Sequence, residues 1–232
     1  MKVAVITLTR DRLAYTKVCF AKLRELAGHP FDHFVLDNGS TDGTWDWLRE
    51  EWAAGRLRWI RGLNVNQGIS LGCNEIIKNI MPFGYDAILK FDNDCMPETP
   101  NFLARMVWVA EAAPNLVLSP WVNGITSKPS TRLPFVAAGE TLYLVGHCGG
   151  LCRLAPKAAH AGFSYPGNLP YASGQDLAFS RHALDNYYII AYMKDVVVQH
   201  YKTTGGQERD PEMRSYFERK RREEREVPPR FE

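Results

Sequence analysis

Two aspartates one position apart, Asp92 and Asp94, stand directly behind an apolar run in the stretch ILKFDNDC at 88–95. Carboxylates this close repel each other and resist being ionised together unless a cation lies between them. No basic residue follows within the next several positions, so a hard divalent ion is the natural counter-charge. Mg²⁺ or Mn²⁺ is held by one or two carboxylates, with substrate phosphate oxygens and waters completing the octahedron. The pair thus implies a diphosphate-bearing substrate. A D-x-D pattern behind a strand also serves as a turn former or helix cap, so its weight comes from where it sits.

The elements that must position it are legible as a series. KVAVITLT (2–9) is β-branched and nearly continuous in apolar character, as a strand buried on both faces of a parallel sheet is. Helical spacing of apolar residues follows from 13 to 26 and is stopped by Gly28 and Pro30. HFVLDN (33–38) is a second strand. GSTDGTWDWLREEW (39–52) turns through glycine into a helix with Ser40 or Thr41 as N-cap. LRWIRG (57–62), GISLGCNEIIKNI (68–80) and DAILKFD (86–92) add a strand, a helix and a fourth strand. Alternating strands and helices predict an α/β fold with a parallel, doubly wound sheet. Ligands bind beyond the carboxyl ends of such strands. The polar clusters at 7–11, 37–42, 64–67 and 92–94 all fall at those ends.

The second half is less regular. A helix is expected at 101–113, strands in LVLSPWV and around the turns of ETLYLVGHCGGLCRL, a mobile loop at 126–134, and a strand in KDVVVQHY (194–201). Beyond Gly205 and Gly206 a charged helix of balanced sign is expected, its acids matching its bases. A length of 232 residues, 45 % apolar content, 23 % charged content and a net charge of +2 describe an ordinary globular protein and argue against a nucleic-acid-binding domain. No apolar run reaches the ~18 residues of a membrane span. The start MKVAVITLTRDR reads as a first strand, and the five cysteines form no C-x-x-C pair. A cytoplasmic protein with reduced thiols is expected.

VAVITLTRDR (3–12), VLDNGSTDGT (35–44), NVNQGISLGCN (64–74), FDNDCMPE (91–98) and GQDLAFSRHA (174–183) occur in an order that resembles the family-two-type glycosyltransferases of GT-A fold. These are nucleotide-diphospho-sugar transferases with a mostly parallel, Rossmann-like central sheet and a smaller acceptor-side region. The resemblance spans roughly 3–200. It implies a nucleotide-sugar-binding half at 1–98, an acceptor-binding and catalytic half at 99–204, and a charged tail at 205–232. It places Thr9, Arg10 and Asp11 at the base and ribose, Asp37 and Asn38 at base recognition, and Asn66 and Gly68 in a loop closing over the nucleotide. Many relatives carry two acids where Asp37 and Asn38 stand, which leaves the base open. Asp92 would touch the ribose or a metal-bound water, and Asp94 would ligate Mn²⁺ or Mg²⁺ directly. His200 would complete the metal site, a role its imidazole suits better for Mn²⁺ than for Mg²⁺.

Asp176 stands where the family's catalytic base lies, although helix N-capping would satisfy it equally. The glycines of VGHCGGLCRL (145–154) and His147 fall near the family's acceptor pocket, with His147 a donor to acceptor or diphosphate. Trp121 is a candidate sugar or base platform, and Cys148 and Cys152 are packing residues. The implied activity is a metal-dependent sugar transfer from a nucleoside-diphosphate sugar to an acceptor hydroxyl, with inversion; a retaining transfer would not need the base. The competing readings are a sugar nucleotidyltransferase, against which TLTRDRLAY lacks the glycine-rich loop, and a non-catalytic nucleotide-sugar or glycan-binding module. The acceptor stays open among glycan, protein side chain, small molecule and modified DNA base.

Overall fold

The apolar run at the start of the chain becomes β1 (Val3–Thr9). Its Val3 and Val5 face one apolar cluster, its Ala4 and Ile6 the other. Period-two side chains demand this of a strand covered on both faces. The computed structural model describes residues 1–123, 133–167 and 174–201. The charged helix expected at 205–232 and most of the loop expected at 126–134 lie outside the described residues.

After β1 come α1 (Leu13–Leu26), β2 (Phe31–Asp37), α2 (Thr44–Ala53), β3 (Trp59–Gly62), α3 (Gly68–Ile80) and β4 (Ala87–Phe91). The spatial order is β3-β2-β1-β4, every neighbour parallel. Cys19 and Leu23 of α1 pack on one face of the sheet, and Cys73, Ile76 and Ile80 of α3 on the other. This is the doubly wound arrangement the alternation predicts.

The second half begins with a three-residue strand, β5 (Cys95–Pro97), then α4 (Phe102–Ala112), β6 (Leu116–Asn123), β7 (Leu133–Ala137), β8 (Glu140–Leu144) and β9 (Cys152–Pro156). A single 3₁₀ turn (Lys157–His160), α5 (Gln175–Asp185) and β10 (Ile189–His200) complete it. The sheet continues beyond β4 as β9-β6-β10-β8-β7. β9 runs antiparallel to β4, placing Lys90 opposite Arg153 and Phe91 opposite Cys152. α4 covers the α1 face and α5 the α3 face.

β10 lies parallel to β6, with its register broken between Met193 and Val197. Before that break its other edge pairs with β8, and after it with β5, setting His200 opposite Cys95. One irregularity thus re-aims the strand end, as bulges do beside functional sites. All five cysteines are buried free thiols. Among the described residues, no helix is long and apolar enough to cross a membrane.

Candidate functional site

The rim above β1, β2 and β3 is sewn together by its own polar side chains. Asp37, buried at the end of β2, accepts from the Thr9 hydroxyl at 2.8 Å, from the Ser40 amide at 3.0 Å and from the Ser40 hydroxyl at 2.5 Å. Asn38 donates to the Asn66 side chain at 2.7 Å and to the Gly68 carbonyl at 3.3 Å, and accepts from the Gln67 amide at 2.9 Å. The loop after β3 is therefore pinned to the end of β2. Gly39 permits this approach, because a Cβ there would meet the Val65 carbonyl carbon at 2.9 Å. Asp11 accepts from the Thr41 amide at 2.7 Å, joining the first loop to the second. Arg10 is exposed at the exit of β1.

Asp42 receives the Leu13 amide at 2.8 Å and the Thr44 amide at 3.1 Å, serving the starts of both α1 and α2. It corrects the expectation that Ser40 or Thr41 caps the second helix: the helix begins at Thr44, behind Gly43 in the left-handed region. Burial alone would raise the Asp42 carboxyl, but the Thr44 and Leu13 hydrogen bonds hold it below the ordinary carboxylate range.

Each acid of the D-x-D pair has a resident cation. Lys90, two positions before Asp92 and on the same face of β4, donates to its Oδ1 at 2.6 Å and to the Gly150 carbonyl at 2.6 Å. Burial still dominates Asp92 and, with the nearby Asp94 and Asp176 charges, pushes its carboxyl up to about 6 despite Lys90. On Asp94, Arg12 Nη1 lies 2.5 Å from Oδ2, and His200 Nε2 lies 3.5 Å from the same oxygen. Burial would raise Asp94, yet His200 and Arg12 together hold it below its usual range. Asn93 turns the other way, donating to Thr16 at 2.9 Å. The two carboxylates do not wait unpaired for a metal, as their spacing suggested. Their counter-charges come from a lysine before them and an arginine far up the chain.

Asp176 sits in the first turn of α5, behind Gly174 at φ 86°, with no side-chain cap hydrogen bond on that helix end. The N-capping alternative is therefore set aside, although an acid there still suits the helix dipole. Its Oδ1 lies 3.5 Å from Nη1 of the fully buried Arg153. A Cβ on Gly150 would fall 2.1 Å from Asp176 Oδ1 and 3.0 Å from Lys90 Nζ. Gly150 thus makes room for Asp176 and Lys90, whereas a Cβ on Gly146 or Gly149 would meet nothing within 4 Å. His147 is exposed between β8 and β9. Trp121 is half-buried, edge-on to Tyr192 at 6.4 Å.

No protein-family model matches the chain, and no curated protein sequence matches it. Solved structures do. GalNAc-T7, crystallised with UDP, GalNAc and Mn²⁺, superposes with a TM-score of 0.71 at 11 % identity over 88 % of this chain and 44 % of its own. The mannosyltransferase PcManGT from Pyrobaculum calidifontis, in complex with GDP-Man and Mn²⁺, gives 0.68 at 15 % identity over 99 % of this chain and 66 % of its own. S. aureus TarS 1–349 with UDP-GlcNAc gives 0.65 at 18 % identity, over 88 % and 60 %.

The fold is GT-A.

The chain spans between 44 % and 66 % of these three GT-A structures' lengths. Its GT-A sheet gathers the residues into two groups. Asp92, Asp94, Asp176 and His200 surround the ends of β4, α5 and β10, while Thr9, Asp11, Asp37, Asn38, Asn66 and Gly68 form the hydrogen-bonded rim beside them. Arg12, Lys90 and Arg153 escaped the sequence reading. The signal for two of them was present: a lysine inside AILKF and an arginine inside CRLAP, each in a strand buried along its whole length. Charges are rarely so placed unless paired.

Among the described residues, no group of three or more His, Cys, Asp or Glu side chains is arranged to hold a metal. Asp94 and His200 nonetheless bring together a carboxylate oxygen and an imidazole nitrogen, donor types that suit Mn²⁺. Their Oδ2 and Nε2 lie 3.5 Å apart, and His200 Nδ1 is buried without a partner.

Proposed function

We propose that this chain is a glycosyltransferase that moves a sugar from a nucleoside-diphosphate sugar to an acceptor hydroxyl, with inversion and with the help of Mn²⁺ or Mg²⁺. The observation that carries the proposal is the position of Asp176. A partly exposed carboxylate without a capping duty stands over the same strand exit that bears Asp92 and Asp94.

In this reading residues 1–98 hold the nucleotide and 99–204 the acceptor. Asp37, Asn38 and Asn66 shape the base pocket, with Thr9, Arg10 and Asp11 beside it and Asp92 toward the ribose. Asp94 and His200 would hold the metal, which supplies positive charge against the diphosphate as it leaves. Asp176 accepts the proton of the acceptor hydroxyl. The acceptor oxygen bonds to the anomeric carbon from the face opposite the leaving group, and the bond from that carbon to the diphosphate oxygen breaks, releasing the nucleoside diphosphate. His147, exposed between β8 and β9, would donate to the acceptor or the diphosphate.

A thermal-shift panel of UDP-, GDP-, TDP- and ADP-sugars with and without Mn²⁺ tests the donor half, since a ligand that binds only the folded state raises the melting temperature. Nucleoside diphosphate release, lost in Asp176→Asn with donor binding retained, tests the transfer half. Binding without any turnover would favour the non-catalytic module. Pyrophosphate release from a nucleoside triphosphate and a sugar phosphate would identify a nucleotidyltransferase instead.

A further inference from the structure

Two buried cations stand side by side under Asp176. Lys90 and Arg153 are direct cross-strand partners in the antiparallel pair of β4 and β9. Both are buried, Arg153 to 1 % exposure. Like charges opposite one another weaken a sheet, and a buried guanidinium needs an anion and hydrogen bonds to be tolerated. Lys90 has Asp92. The carboxylate nearest to Arg153 is Asp176, a group that is itself partly open to solvent.

Arg153 is fixed on its remaining sides. Its guanidinium carbon lies 3.9 Å from the ring centroid of Phe179, and Nη2 donates to the Tyr165 hydroxyl at 2.6 Å. Phe179 follows Asp176 by three positions on α5, so stack and ion pair use one helix face. Tyr165 is held in turn: Asn74 of α3 donates to its carbonyl at 2.9 Å and accepts from its amide at 2.8 Å. From Asn74 through Tyr165 and Arg153 to Asp176 the chain of contacts is continuous, and Gly150 leaves the space in which the carboxylate ends.

We propose that Arg153 is a positioning residue for Asp176, and that Tyr165 and Asn74 are its supports. The inference rests on Asp176 being the base. Planar and always charged, the guanidinium gives the carboxylate a fixed partner on its buried side, leaving the outer side to meet the acceptor. A lone salt bridge at the surface would not hold a side chain so firmly.

A double-mutant cycle with the donor selected by the thermal-shift panel decides the matter. Arg153→Met and Tyr165→Phe are made singly and in the Asp176→Asn background. Nucleoside diphosphate release is read for each, together with donor Kd in the presence of Mn²⁺. The expected result is a loss in kcat of about a hundredfold for Arg153→Met and about tenfold for Tyr165→Phe, the range that misplacing a reacting group commands. Donor Kd stays unchanged, and neither substitution lowers the residual rate of Asp176→Asn further. Should Arg153→Met fail to fold, Tyr165→Phe carries the same cycle. Equal losses with and without Asp176, or a donor affinity falling in step with kcat, would overturn the positioning role and leave the base intact. Full activity in Asp176→Asn, or no turnover of any sugar in the panel, would remove the base and this inference with it.

Discussion

Arg12 and Asp94, 82 positions apart in sequence, meet at 2.5 Å on the rim of the sheet. The guanidinium is aimed there by an uncommon backbone: Asp11 and Arg12 both adopt positive φ, at 53° and 65°. Two successive non-glycine residues in the left-handed region cost on the order of 1–3 kcal/mol each and persist only where their surroundings fix them. Here the Asp11–Thr41 and Leu13–Asp42 hydrogen bonds do so.

Arg12 and a divalent cation would compete for one carboxylate oxygen. Arg12→Met should therefore bind Mn²⁺ alone roughly tenfold more tightly than the natural chain, the order expected for freeing one partly buried ion pair. Electron paramagnetic resonance of free Mn²⁺ without nucleotide measures it. Unchanged or weaker binding would refute the competition. Asp94→Ala should lose metal-dependent nucleotide binding altogether, whichever cation holds the site.

Gly150→Ala places a methyl group where Asp176 Oδ1 now lies. The obstructed atom ends a short side chain on a helix terminus, so the fold should persist while the carboxylate moves. Transfer is expected to fall by about a hundredfold, the consequence of displacing a reacting group by about an ångström. Donor affinity and melting temperature should change little. A crystal structure of the variant with Asp176 unmoved would contradict this.

Asn38→Ala removes three hydrogen bonds that tie the loop after β3 to the end of β2. Stability should drop by about 1–3 kcal/mol, because the Gln67 amide loses its acceptor and the Asn66 side-chain oxygen keeps only the Gly68 amide. Hydrogen exchange at 64–68 should accelerate and nucleotide affinity should weaken. Asn38→Asp keeps an acceptor for the Gln67 amide but sets a carboxylate against the Asn66 and Gly68 oxygens, so its loop should open to a similar degree.

Stability should also fall on mild acidification. His33 donates through Nε2 to the Thr7 hydroxyl, whose own proton goes to the Phe91 carbonyl, so Nδ1 is left buried and bare. Burial, aided by Arg24, lowers the His33 pKa from 6.5 to about 3. Burial, with Arg153 and His182, does the same for His160. Between those values the unfolded chain binds a proton that the folded chain refuses, so each histidine removes about 1.4 kcal/mol per pH unit as pH falls below 6.5. Asp92 opposes them, since a carboxyl raised to about 6 takes up its proton in the folded state first. His33→Gln isolates one contribution: urea titrations between pH 7 and pH 5 should show a shallower decline than the natural chain. Identical slopes would exclude a buried neutral His33.

Much of this was legible in the residues. Runs such as VAVITLT and AILKF point to buried strands because they are short, rich in apolar and β-branched residues and bounded by turn signals. Asp92, Asp94 and Asp176 stand out in the sequence because they end or begin such elements. Which cation meets which acid was not legible. Lys90 meets Asp92 locally, but Arg12 and Arg153 arrive through parallel crossover and antiparallel insertion, pairings that leave no period in the sequence. β5 was missed for a related reason: three residues ending in Pro97 carry no strand signal until β10 supplies the edge they pair with.

The irregularity of β10 between Met193 and Val197 has an evolutionary edge. Alternation along a strand is strict, so losing a single residue from 194–196 would carry His200 out of phase with Cys95 and present its neighbour instead. Such a deletion would turn Val198 out of the apolar layer along with it, so core packing and the residue beside Asp94 are tied to the same count. The length of one strand segment therefore fixes which side chain stands beside Asp94, with no substitution at the site itself.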